Sequence, residues 1–79
     1  MSRRIPLAEI LDGRSVRVLE IHGGKNVRDR LRLLGIRPGS TVIKVSGLAR
    51  FGPTVVRCGQ TQTALGNGIS QKILVEAAE

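Results

Sequence analysis

The run Asn26-Val27-Arg28-Asp29-Arg30-Leu31-Arg32-Leu33-Leu34-Gly35-Ile36-Arg37-Pro38-Gly39 constrains this chain more than any other stretch. It favours one short helix and then forbids its continuation. The side-chain oxygen of Asn26 is suited to cap the first turn, where backbone N–H groups lack partners. Asp29 is expected in that turn, where the helix dipole favours negative charge. Val27, Leu31 and Leu34 follow the i, i+4, i+7 spacing of a buried face. Gly35 falls where a helix end takes a left-handed residue, a conformation glycine adopts without a Cβ penalty. Ile36 is placed to fold back on Leu31, as in a Schellman ending. Pro38 cannot extend the helix, and Gly39 closes a turn.

What surrounds this helix reads as sheet. At 79 residues the chain is expected to form one domain,. A domain of that size buries only about 60% of its unfolded surface. Its sole aromatic is Phe51, so the core is built from Val, Ile and Leu, which suit strands. Strands are expected over Ser15–Ile21, Thr41–Ser46, Thr54–Cys58, Thr61–Leu65 and residues 73–75. The first breaks its alternation between Val18 and Leu19, where either a bulge restores it or both faces are covered, one of them by the helix. The second sets Ile43 and Val45 on one face, Val42 and Lys44 on the other. Gly59-Gln60 suits a two-residue type II′ hairpin.

Residues 6–11 read as one helical turn with Leu7, Ile10 and Leu11 inward, and residues 69–72 as another. Five short strands, with the helix between the first two, predict an all-β fold: a small closed sheet, closure being one answer to exposed edges. Residues 1–4 and 77–79 read as tails around a domain spanning 5–76.

The net charge is +7 and the pI about 11.4. Residues 25–57 hold eight basic side chains and one acidic, so the helix and the strands after it carry the field. Such a field suits solubility, or an acidic partner, a lipid headgroup layer or nucleic acid. The single cysteine, Cys58, excludes an internal disulfide and points to a reducing compartment, the cytoplasm,. No apolar run approaches the roughly 20 residues that cross a bilayer.

In sequence order, Pro6-Leu7, Arg30-Leu31 with Leu34 to Gly39, Gly52 to Val56, Ala64-Leu65-Gly66 and Lys72 to Val75 together resemble the FeoA family of bacterial ferrous iron transport. The resemblance covers about residues 5–76. It implies an SH3-like β-barrel and a role beside FeoB, a membrane permease with a cytoplasmic G-protein domain. The same fold also ends iron-dependent repressors, whose winged-helix segment has no counterpart in these 79 residues. The resemblance carries over no catalytic residue.

The chemistry of the chain points to contact rather than catalysis. Fe(II) sites gather several imidazole and carboxylate ligands. Here there is one histidine, His22, one thiol, Cys58, and scattered acids. Glu20 and His22 can share a strand face but read as a solvated edge, and the positive field repels a divalent cation. No metal site and no cofactor are expected. Gly23-Gly24-Lys25 lacks the spacing of a phosphate loop, and Gly66-Asn67-Gly68 lacks the third glycine of a dinucleotide fingerprint. Cys58 has no neighbouring base and reads as a small buried hydrophobe. No acid–base or nucleophilic set is present, so no enzyme is expected.

The basic helix is the better lead. Arg28 and Arg32 fall away from the apolar face, and Arg37 extends their surface. Asp29 is spaced to pair with Arg32. Arg30 lies between apolar positions and must snorkel or find a partner. Arg28, Arg32 and Arg37 are therefore expected to bind a partner, with Leu48 and Phe51 as a second patch, although Phe51 also suits a core plug. The function expected is an accessory module that binds the permease and adjusts uptake. The alternative is a basic barrel that binds nucleic acid, weakened by the lack of stacking aromatics.

Overall fold

The computed structural model describes residues 3–47 and 52–77. Among these residues there are six strands: β1 (Arg3–Pro6), β2 (Ser15–Ile21), β3 (Thr41–Ser46), β4 (Thr54–Cys58), β5 (Thr61–Leu65) and β6 (Ile73–Ala77). A 3-10 turn, Leu7–Glu9, follows β1. Helix α1 (Lys25–Leu33) joins β2 to β3, and one-turn α2 (Asn67–Ser70) joins β5 to β6. All pairings are antiparallel, in the order β1-β6-β2-β3-β4-β5.

Four of the five expected strands keep their expected bounds. Three features of the architecture differ. A sixth strand exists, because Arg3 and Arg4 pair with Ala77 and Glu76 rather than fraying. Two arginines and a proline hide a strand from pattern reading, yet both residue types are at home on a sheet edge. The helix consequently lies between the second and third strands. The sheet is not closed by hydrogen bonds either: among the described residues β1 and β5 end the ladder and do not pair.

The expected bulge in β2 is present, the register with β6 shifting between Val18 and Glu20. A second bulge, between Lys44 and Ser46 of β3, had no signal in the alternation. At the Gly59-Gln60 hairpin, Gly59 has φ +63° and Gln60 does not have a positive φ, as a type II′ turn requires,.

The helix ends as expected and starts differently. Gly35 has φ +86°. Its N–H donates to Arg32 O (2.9 Å), and the Ile36 N–H donates to Leu31 O (2.9 Å). These are the two bonds of a Schellman ending. At the start, extended Gly24 is the capping residue, with no side-chain hydrogen bond. Asn26 is the second helical residue and caps nothing. Asp29 is beyond the first turn, and Lys25 Nζ donates to its Oδ2 at 3.0 Å. Lys25, one turn earlier, takes the carboxylate that was expected to pair with Arg32.

The core joins Leu7, Ile10, Val16, Val18, Leu31, Ile36, Val42, Val56, Leu65, Ile73 and Val75. Val27 and Leu34 pack half-buried against it, so α1 docks mainly through Leu31. Leu11 was expected inside but is exposed, because the 3-10 turn stops at Glu9 and the chain turns outward after buried Ile10.

Lys44 is fully buried beside Val42 on the inner face of β3. Its ammonium donates to Ala8 O (2.9 Å) and Ile10 O (2.5 Å). Its own backbone accepts from Gly13 N–H and donates to Arg14 O. One residue thus fastens the whole segment from the 3-10 turn to the start of β2. Burial lowers the Lys44 pKa, and the negative charge of Asp12 works against that shift,.

Candidate functional site

Helix α1 positions the basic surface. Its inward stripe is Val27, Leu31 and Leu34, so helical spacing puts Arg28 and Arg32 along one flank of that stripe and Arg30 along the other. All three are exposed. Arg37 is exposed in the turn after the helix, where Ser40 grips its backbone. The Arg37 N–H donates to Ser40 Oγ (3.0 Å), and Ser40 Oγ donates back to Arg37 O (2.6 Å).

Among the described residues the ion pairs are Arg4–Glu20 (2.9 Å) and Lys25–Asp29 (3.0 Å), and His22 Nε2 lies 3.4 Å from Glu20 Oε1. Arg28, Arg30, Arg32 and Arg37 stand outside all of them. Among the described residues no carboxylate lies within ion-pair distance of them. Leu33, also on the outer side of α1, is 88% exposed and, one turn on from Asp29 and Arg30, adds an apolar contact point on that flank. Sequence reasoning passed over Leu33 because it falls outside the helical stripe; an apolar residue in that position is itself the signal. Leu48 and Phe51 lie outside the described residues.

Among the described residues, depressions include two small ones. One, of about 190 Å³, runs between α1 and β5 and is lined in part by Val27, Arg30, Leu34, Thr63 and Ala64. The other, of about 210 Å³, lies by Ile5, Glu9, Leu11 and Arg14. Both are smaller than the roughly 300–1,000 Å³ of small-molecule sites.

Glu20 and His22 do meet, as the strand spacing allowed, but Arg4 also engages the carboxylate. Among the described residues no three His, Cys, Asp or Glu side chains lie together as metal ligands. Cys58 is half-buried rather than fully enclosed, being the last residue of β4 before the exposed hairpin turn; the helix ending covers one side of it, where its Sγ donates to Gly35 O at 3.2 Å. Among the described residues no helix is long and apolar enough to cross a membrane.

The model of the FeoA domain matches residues 5–77. This chain belongs to the FeoA family. A Methanocaldococcus jannaschii protein, assigned as an Fe(2+) transport protein A, is 34% identical to this FeoA chain over 74 residues, 94% of this chain and 88% of that one. The crystal structure of an iron uptake regulatory protein, FeoA, superposes with a TM-score of 0.85 at 29% identity, covering 95% of this chain and all of the other. Stenotrophomonas maltophilia FeoA, solved with zinc and described as a prokaryotic SH3 domain protein, superposes at 0.74 with 28% identity, over 90% of this chain and 88% of its own. A manganese-dependent transcriptional repressor shares the fold, at 20% identity, in 44% of its length. Iron transport, the FeoA family and an SH3-like fold are thus the setting for the arginine-rich helix.

Proposed function

We propose that this FeoA chain is a non-catalytic cytoplasmic accessory protein of ferrous iron uptake that binds a FeoB-type permease and adjusts its activity. The family match over residues 5–77 carries the reading. The unpaired arginines of α1 and its following turn support protein contact as the means: a field of one sign steers an acidic partner and aligns it. Arg28, Arg32 and Arg37 form the leading contact patch, and Leu48 with Phe51 the second. The Stenotrophomonas maltophilia relative is itself put forward as a ferrous iron transport activating factor, which fits an accessory role.

The test is a titration against the cytoplasmic G-protein domain and, separately, the full permease in detergent. The unaltered chain is expected to bind at least one of them. Reversing Arg28, Arg32 and Arg37 to Glu is expected to leave the circular dichroism spectrum unchanged and to abolish binding. Full binding by the triple variant would move the interface to Leu48 and Phe51. No binding by the unaltered chain to either form would remove the permease as partner. Salt-steep binding to RNA in its place would favour a polyanion reader.

A further inference from the structure

The two strands that end the ladder are built differently. β1 carries Arg3, Arg4 and Pro6. Charges and a missing N–H are ordinary means by which a sheet edge refuses another strand. β5 reads Thr-Gln-Thr-Ala-Leu and has no charge and no proline. Its register with β4 runs unbroken from Thr54↔Leu65 to Cys58↔Thr61, without a bulge to twist the edge away.

The hairpin defines which groups are free. In a two-residue hairpin the flanking residues, here Cys58 and Thr61, form a hydrogen-bonded pair, and bonded and non-bonded pairs alternate from there. The N–H and C=O of Gln62 and Ala64 therefore point away from β4. Among the described residues no other strand or loop backbone meets them. Beside this edge runs the groove to α1, with Val27 and Leu34 as apolar wall and exposed, unpaired Arg30 at its rim.

We infer that β5 accepts an extended segment of a partner protein as a seventh strand, with apolar side chains in the groove and acidic ones within reach of Arg30. Main-chain bonds to Gln62 and Ala64 supply affinity, and the groove supplies selectivity, as in other strand-addition sites. Charge decides between a foreign segment and a second copy. Two chains of +7 repel, whereas an acidic segment is drawn in,. Arg28 and Arg32 lie on the opposite flank of α1. The edge site therefore goes beyond the permease reading and holds whichever protein supplies the strand.

The test uses the full chain, isotope-labelled, titrated with a blocked hexapeptide alternating valine and glutamate, and in parallel with its valine–lysine counterpart. The acidic peptide is expected to shift the Gln62 and Ala64 amide signals and to slow their hydrogen exchange by at least about tenfold, the signature of new backbone bonds. The lysine peptide is expected to leave them unchanged. Ala64→Pro deletes an outward N–H and no bond to β4, and should abolish the response. Arg30→Glu alters an exposed side chain, so it keeps the fold, and should weaken the response to the acidic peptide, while the chain stays net positive and gains no response to the lysine peptide,. No response at millimolar acidic peptide would overturn the inference. So would shifts centred away from β5, equal response to both peptides, or peptide-free, concentration-dependent changes at β5 that mark a second copy.

Discussion

Helix α1 and the Leu7–Glu9 turn both cover the sheet, and they are attached by opposite physics. The nine-residue helix docks through apolar contact, Leu31 being almost wholly enclosed and Ile36 tucked behind it by the Schellman bonds. The three-residue turn is too short to present a stripe. It contributes Leu7 and is then fastened by a buried cation, Lys44, bonded to the carbonyls of Ala8 and Ile10. Among the described residues no carboxylate stands within ion-pair distance of that ammonium. Two carbonyl dipoles do the solvating instead. A neutral amine still has two N–H donors, so the same two bonds survive loss of the proton. An element with a long periodic face can be glued by surface area. A short one needs directional bonds.

The contrast can be broken at either attachment. The largest effect is expected at the helix, where Leu31→Ala should cost about 2–5 kcal/mol, as buried leucines do. Urea unfolding measures it, and an unchanged midpoint would show that α1 does not depend on Leu31. Lys44→Met should cost less, about 1–3 kcal/mol, because it leaves two inward carbonyls without a donor while relieving the burial of a charge. Its signature in hydrogen exchange is local: the N–H groups of Ile10 and Gly13 should lose protection while those of Ile36 and Leu34 keep theirs. Equal loss in both places would erase the distinction between the two attachments.

The smallest effect is on pH dependence. Burial holds the folded-state pKa of Lys44 below its unfolded value of 10.5. Between those two values the unfolded chain binds more protons, so Lys44 lets stability rise with pH. Below the folded-state value the charge is present in both states and its burial cost is fully felt. The stability difference between the unaltered chain and Lys44→Met should therefore widen in favour of the former as pH climbs towards 10.5. A pH-independent difference would mean that Lys44 does not titrate abnormally.

Legibility in the sequence followed the same division. Val27, Leu31, Leu34 and Gly35 mark a helix and its end through spacing and backbone freedom alone. The bulge at Leu19 and the turn at Gly59 are local in the same sense. Lys44 is different, since its neighbours in sequence say only that it shares a face with Val42. Whether that face is the inner one depends on partners more than thirty residues away. β1 was hidden for a related reason, as Arg-Arg-Ile-Pro becomes a strand only when β6 presents a ladder to it. At the candidate site, the exposure of Arg28 and Arg32 was readable from helical phase, and that of Arg37 from the Pro38-Gly39 turn that follows it. The position of Arg30 at a groove beside an open strand edge was not, because the groove exists only once β5 lies next to α1.

The sequence by itself determined the local elements, the positive charge and the FeoA kinship, since periodicity, turn chemistry and residue order are properties of neighbours along the chain. Tertiary structure decided which charge goes inside, which edges stay open and which arginine lines the groove beside β5. Those outcomes depend on distant backbone groups meeting, and a buried lysine is tolerated only where two carbonyls arrive to receive it.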